Sequence, residues 1–188
     1  MKSLNVAIAG LGTIGNGVAH IIEQHDNNSD SKINLTGILE RNFSSENVKL
    51  WFQKKPELFC KTSEIIIENP EIDLIVETIG GKGFARELII KALENGKHVI
   101  TANKDLIAIH GNELLEIARK NNRHLLFEAA VAGAIPILRL LKDYLHVQDI
   151  QELRGILNGT TNYILSEMDD KNISFENALL QAQQMGFA

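Results

Sequence analysis

The chain has 188 residues, with 19 Lys+Arg against 24 Asp+Glu and a formal net charge of −5, a balance that argues against the basic field a nucleic-acid or membrane-surface protein needs. Hydrophobic residues make up 44% and charged residues 23%, the mix of a globular chain able to bury roughly 70% of its unfolded surface. Three Pro, 14 Gly and one Cys leave little room for disorder and none for an internal disulfide, and no apolar stretch approaches the roughly 18 residues a membrane span requires.

The apolar residues after Met1 and Lys2 are soon interrupted by Gly10, Gly12 and Gly15, which is no signal-peptide pattern and places the protein in the cytoplasm. Leu4 to Ala9 reads as a strand closed by those glycines, and Ile14, Val18, Ile21 and Ile22 recur at helical spacing. Polar residues 26–32 precede a second strand, Ile33 to Leu39. A helix is expected over Ser45 to Gln53, broken at Pro56, then an irregular piece holding Cys60 as a structural thiol and a helical turn before Pro70. Ile72 to Val76 makes a buried-type strand, Phe84 to Leu93 a helix packed on a sheet, and Gly96 its cap. His98 to Thr101 is the next strand, Leu114 to Ala118 marks a helix, and Leu125 to Glu128 a further strand. Strands alternating with helices predict an α/β fold, a doubly wound parallel sheet of the Rossmann type covered on both faces.

After Pro136, which suits a helix's first turn, the texture changes. Ile137 to Leu145 reads as a helix, Ile150 to Leu157 as a strand, and Thr161 to Met168 and Phe175 to Met185 as helices. The reading therefore divides the chain into a dinucleotide-binding domain, residues 1–132, and the beginning of an α+β substrate and dimerisation domain, residues 133–188. The ending at Ala188 without a polar tail reads as a truncation.

Chemistry concentrates where strands end. Gly10-Leu11-Gly12-Thr13-Ile14-Gly15 is G-x-G-x-x-G between a strand and a helix. Gly10 permits the turn, Gly12 lets the backbone approach a pyrophosphate, and Gly15 lets helix and strand pack closely. The helix then offers free amides and about half a positive charge to the phosphates. Glu40, 25 residues past Gly15, ends the second strand and Arg41 follows. An acidic residue there suits the ribose hydroxyls of NAD, whereas an Arg could pair with the 2′-phosphate of NADP, and both remain open. Thr78 and Ile79 precede Gly80-Gly81 at the carboxyl edge of the sheet, and Lys104 follows a strand at the same edge, placing a cation near the nicotinamide end. In the second segment Asn158-Gly159-Thr160-Thr161-Asn162 joins the expected strand to a helix, either as an Asn-Gly turn with a Thr cap or as a grip on a small polar substrate. Phosphorylating aldehyde dehydrogenases carry a catalytic Cys before a similar Thr-Thr-Asn; Gly159 here leaves no thiol for a thioester.

Together these residues resemble the homoserine dehydrogenases. The matching stretches run in order from end to end: IAGLGTIG (8–15), IVETIGG (75–81), ALENGKHVITANKDLIA (92–108), FEAAVAGAIPIL (127–138), GILNGTTNYIL (155–165) and QMGFA (184–188). The resemblance implies NAD- or NADP-dependent interconversion of homoserine and aspartate 4-semialdehyde, a step toward threonine, isoleucine and methionine. It implies cofactor contacts from Gly10 to Gly15, Thr78, Lys104 and Gly186, and substrate contacts from Lys104, Gly159 and Thr160. It further implies a monovalent cation, usually sodium, held by Glu128 and the carbonyls of Val131, Gly133 and Ile135, an oxygen-only set that suits a hard ion, and a homodimer formed through the substrate domain. The family's glutamate after Gly-Phe-Ala and its later Asp and catalytic Lys are not among these residues, so the expectation is a cofactor-binding piece with little or no turnover. A rival of another class is a nucleotide-sensing module that binds NAD(H) without catalysis; it has no need of the polar turn at 155–165.

Overall fold

The computed structural model of the chain describes residues 3–25, 32–145 and 147–185, and it divides into two compact units, Met1–Phe127 and Glu128–Ala188. In the first, strands and helices alternate along the chain: β1 (Ser3–Ala9), α1 (Thr13–His25), β2 (Lys32–Leu39), α2 (Glu46–Lys54), β3 (Phe59–Cys60), α3 (Ser63–Glu68), β4 (Leu74–Glu77), α4 (Gly83–Glu94), β5 (His98–Thr101), α5 (Lys104–Lys120) and β6 (Leu125–Leu126). The strands form a six-stranded sheet in the order β3-β2-β1-β4-β5-β6, and every pairing in it is parallel. The chain runs outward from β1 to β3, then restarts on β1's other side with β4. This reversal opens a crevice at the carboxyl ends of β1 and β4, the ligand position of doubly wound sheets.

Alternation along the central strands sends side chains to two cores. Val6 and Ile8 of β1 join Val76 of β4 beneath α1 and α2, with Ala19, Val48 and Trp51, while Ala7 and Ala9 join Ile75 on the other face beneath α3, α4 and α5, with Leu88, Leu93, Leu106 and Leu114. Trp51 is buried, and its indole N–H donates to Asn16 Oδ1 at 2.9 Å, which pins α2 against α1 without an unsatisfied polar atom. The cap predicted at Gly96 is a full C-terminal lock on α4: Gly96 has φ +78°, its amide donates to the Leu93 carbonyl at 3.1 Å, and the Lys97 amide donates to the Ala92 carbonyl at 2.9 Å.

The strand expected over Ile72 to Val76 runs Leu74–Glu77, and the helix marked by Leu114 to Ala118 is longer, Lys104–Lys120; three further differences follow. The irregular piece after Pro56 contains β3, which pairs Phe59 and Cys60 with Ile38 and Leu39; two residues are too few to show a period. The strand expected over Leu125 to Glu128 stops at Leu126, because its partner β5 ends at Thr101 and the pairing Ile100 to Leu126 uses nearly all of it, so Glu128 opens a 3-10 turn, Glu128–Ala130. The strand expected over Ile150 to Leu157 is absent: these residues are coil with a bend at Gly155. A strand exists only in a ladder, and no described segment of the second unit pairs with this one.

The second unit is helical. Ile137–Arg139 (α6) continues as a π-helical stretch, Leu140–Tyr144, closed by the Leu145 amide donating to the Leu140 carbonyl at 3.0 Å. α7 (Gly159–Lys171) and α8 (Phe175–Gln184) pack around Ile164, Ala178 and Ala182. Each is capped by its own sequence: Asn158 Oδ1 accepts from the Thr161 amide at 2.8 Å, and Ser174 Oγ from the Asn177 amide at 3.3 Å. Among the described residues no helix is long and apolar enough to cross a membrane.

Candidate functional site

The glycine turn follows directly from the packing of β1, α1 and β4. Gly10 has φ +97°, and a Cβ there would sit 2.8 Å from the Thr78 carbonyl carbon and oxygen. A Cβ on Gly15 would fall on the Gly10 carbonyl oxygen and 2.7 Å from Thr78 Oγ1. Both positions therefore exclude every other residue type by contact. Gly12 is different: nothing lies within 4 Å of a Cβ there, so the space beside its backbone is left open by the protein. The Thr78 hydroxyl donates to the Gly10 carbonyl at 2.6 Å and the Thr78 amide to the Ala9 carbonyl at 2.8 Å, tying the loop after β4 to the turn after β1.

The turn opens onto a cleft of about 410 Å³ lined by Gly10, Leu11, Gly12, Leu39, Glu40, Arg41, Asn42, Ser45, Val48, Thr78, Ile79 and Phe84, a volume in the range of small-molecule sites. Of the predicted cofactor residues it brings together Gly10, Leu11, Gly12, Glu40, Arg41, Thr78 and Ile79. Thr13, Ile14 and Gly15 stand beside it in the first turn of α1, which carries no acidic residue and whose first amides lack intrahelical acceptors. Lys104 is the exposed first residue of α5 and is not in the cleft lining. Gly186 lies outside the described residues.

Glu40 and Arg41 are both committed to definite geometry. The Glu40 carboxylate accepts from the Leu11 amide at 2.7 Å, the Arg41 amide at 2.8 Å and the Asn42 amide at 2.7 Å. It thereby fastens the end of β2 to the glycine turn, and of its roughly four lone-pair sites one is left for a further donor. The Arg41 guanidinium lies 4.2 Å above the Phe84 ring, a cation–π contact that holds its planar face at the cleft.

Sequence reasoning passed over Glu77. It ends the apolar run of β4 and is completely buried, with its carboxyl group accepting from the Ile79 and Gly80 amides and from the Thr101 hydroxyl. The signal that could have found it is the charge itself, a carboxyl group at the end of a buried strand followed by a glycine turn whose first amides, those of Ile79 and Gly80, need acceptors.

In the second unit the polar turn begins α7: Gly159 is its first residue and Thr160 its second. The cap is Asn158, not a Thr. Nothing stands within 4 Å of a Cβ on Gly159. Glu128, Val131, Gly133 and Ile135 lie along two successive turns, closed by the Val131 amide on the Glu128 carbonyl and the Ile135 amide on the Ala132 carbonyl, both at 3.2 Å, and Ala132 (φ 55°) and Gly133 (φ 61°) there are left-handed. The Glu128 carboxylate there accepts from the Leu138 amide at 2.9 Å and the Arg139 amide at 3.1 Å, so it also caps α6. Among the described residues no group of three or more His, Cys, Asp and Glu is placed to hold a metal; any cation on these turns would rest on one carboxylate and main-chain carbonyls.

Comparison with known proteins gives one family. Residues 10–128 match the family model described as "Homoserine dehydrogenase, NAD binding domain", and residues 136–188 match "Homoserine dehydrogenase". The homoserine dehydrogenase of Pseudomonas aeruginosa is 42% identical over 100% of this chain and 43% of its own length, and that of Bacillus subtilis is 38% identical over 100% of this chain and 44% of its own. A crystal structure of a homoserine dehydrogenase from Thiobacillus denitrificans superposes with a TM-score of 0.86 at 39% identity, covering 100% of this chain and 44% of that one. A hyperthermophilic archaeal homoserine dehydrogenase in complex with NADPH superposes at 0.81 with 24% identity, over 98% of this chain and 62% of that one, a likeness of fold alone. The chain spans less than half the length of these curated relatives.

Proposed function

The chain belongs to the homoserine dehydrogenase family, and from that premise we propose that residues 1–132 form the NAD(P)-binding domain, and residues 133–188 the opening of the substrate domain, of an enzyme that interconverts L-homoserine and L-aspartate 4-semialdehyde. The observation that carries the proposal is the contrast within the glycine turn: Gly10 and Gly15 are filled by the protein's own backbone, while Gly12 faces open space at the head of α1 and the mouth of the cleft. A diphosphate is the group whose size and charge match amides left bare at a helix N-terminus.

When bound, the nicotinamide cofactor supplies the hydride chemistry. The chain's residues bind and orient it. The amides of Gly12 to Gly15 receive the diphosphate, those of Gly10 and Leu11 being engaged by the Leu39 carbonyl and the Glu40 carboxylate. Glu40 offers its remaining acceptor site to a ribose hydroxyl, and Arg41, stacked on Phe84, presents its guanidinium to the adenosine end. Thr78 and Ile79 border the path toward β4. Lys104 is a cation at the positive end of α5, a placement that costs a few tenths of a kcal/mol to about 1 kcal/mol and that an anionic phosphate or substrate carboxylate would offset. Gly186 would complete the cofactor contacts. Gly159 through its amide and Thr160 through its hydroxyl, at the start of α7, face the polar groups of homoserine.

The proposal extends to a sodium ion on Glu128 and the carbonyls of Val131, Gly133 and Ile135, supported by their lying within residues 128–135, and to a homodimer formed through the substrate domain, supported by the exposure of Ile135, Val147, Ile156 and Leu165. Residues 1–188 alone bind cofactor with little or no turnover, because they lack the acidic and lysine residues by which the family holds homoserine and moves its hydroxyl proton.

The test is reduction of NAD+ or NADP+ with L-homoserine. We expect turnover from this chain extended to the length of its relatives, none above background from the 188 residues alone, and a Thr160→Ala change that impairs oxidation while sparing cofactor affinity. Turnover of another hydroxy acid but not homoserine contradicts the substrate assignment.

A further inference from the structure

Glu77 joins the two loops at the carboxyl edge of the sheet. Its Oε1 accepts from the Ile79 amide at 2.8 Å and the Gly80 amide at 3.1 Å. Its Oε2 accepts from the Thr101 hydroxyl at 2.5 Å, and the Thr101 oxygen accepts in turn from the Asn103 amide at 3.0 Å. Asn103 closes the circuit, since its Nδ2 donates to the Gly81 carbonyl at 2.7 Å and its Oδ1 caps α5 by accepting from the Leu106 amide at 3.1 Å. The segment after β4 and the turn that carries Lys104 are thus bound into one hydrogen-bonded frame.

Fold stability alone gives little reason for a carboxyl group here. An apolar residue ending β4 would avoid the cost of desolvating it, and Glu77 is fully buried. What the carboxyl group adds is direction. Gly80 and Gly81 are both left-handed, with φ +79° and +72°, and nothing lies within 4 Å of a Cβ on either. Side-chain packing therefore does not hold this segment, and two glycines leave its backbone free to take other conformations. The amides gripped by Glu77 and the carbonyl gripped by Asn103 fix it. The contact from this loop to the glycine turn runs separately, through the Thr78 hydroxyl and amide, and involves neither Glu77 nor Thr101.

We infer that Glu77 is a positioning residue for the nicotinamide half of the cofactor: through Thr101 and Asn103 it sets the Ile79–Gly81 segment and the Lys104 turn in fixed relation, and it leaves the adenosine half, held by residues 10–15, Glu40 and Arg41, untouched. The inference rests on the function proposed above. In a dinucleotide fold each half of the sheet serves one mononucleotide, so a defect confined to β4 and β5 divides the ligand at its diphosphate.

The experiment measures affinities of the full chain for two matched pairs, NADH against ADP and NADPH against adenosine 2′,5′-bisphosphate. Glu77→Gln keeps the shape but puts an amide donor against either the two main-chain amides or the Thr101 hydroxyl. It is expected to weaken the better-bound dinucleotide about tenfold and leave its adenosine fragment within about twofold. Thr101→Val removes the same link without touching Glu77 and is expected to do the same; it decides the matter if Glu77→Gln does not fold. Equal losses for dinucleotide and fragment, no loss in either variant, or failure of both variants to fold would overturn the inference, since each marks a role in the fold alone or none. A wild-type chain that binds none of the four ligands overturns the proposed function itself, and this inference with it.

Discussion

A methyl group added at residue 15 and one added at residue 12 meet opposite surroundings, and the difference separates what the glycine turn does for the fold from what it does for a ligand. Gly15→Ala drives a Cβ into the Gly10 carbonyl; we expect a loss of about 2 kcal/mol or more in urea unfolding, as for overpacking against a backbone that cannot yield. Gly12→Ala meets nothing and is expected to leave stability within about 0.5 kcal/mol of wild type. His98 gives a second prediction at this scale. Burial, the neighbouring His124 and Arg123 lower its pKa below the ordinary 6.5, against an opposing pull from Asp73, and its Nδ1 already accepts from the His124 amide at 3.0 Å, so a proton there breaks that bond. The unfolded chain therefore binds the proton more readily. His98 contributes stability that is complete above about pH 6.5 and is lost as pH falls below it toward the lowered folded value. Urea unfolding at pH 7.5 and 5.5 should show a smaller acid loss in His98→Asn than in wild type. The packing roles of Gly10 and Gly15 were legible because a motif fixes their spacing; Glu77 was not, because its partners come from segments distant in sequence and only the folded sheet assembles them.

At the scale of elements, strong periodicity translated directly into structure and weak periodicity did not. β1, β2 and β5, together with α1 and α4, stand where apolar spacing put them, because each buries its stripe on the central sheet. The apolar residues of 150–157 look like a strand on spacing alone, but spacing names a face and not a partner, and no partner strand is described. The helix read over Ile137 to Leu145 is helical but partly π-wound, a distinction of backbone hydrogen bonding that side-chain pattern does not encode. α7 carries the clearest element-level prediction. Its N-cap is Asn158, whose side chain also accepts from the Thr161 hydroxyl at 3.2 Å; Asn158→Ala should cost about 1 kcal/mol, read as a lower unfolding midpoint of this unit in denaturant while the fluorescence of Trp51, in the first unit, keeps its own transition.

For the whole molecule, the family and the α/β class were legible in the sequence because ordered motifs cover the chain from end to end, and both follow from the matches and the parallel sheet. The fold sets its ligand end by topology: the strand order reverses between β1 and β4, and both the cleft and the Glu77 frame lie at the carboxyl ends of the strands beside that reversal. The proposed function gives the open space beside Gly12 to a cofactor diphosphate. Fluorescence titration of NADH and NADPH into the wild-type chain and into Gly12→Ala checks this assignment. Wild type should bind at least one cofactor saturably, and the added methyl group should weaken that binding about tenfold or more at an unchanged unfolding midpoint. Equal affinity in the two proteins, or a folded wild type that binds neither cofactor, would contradict it.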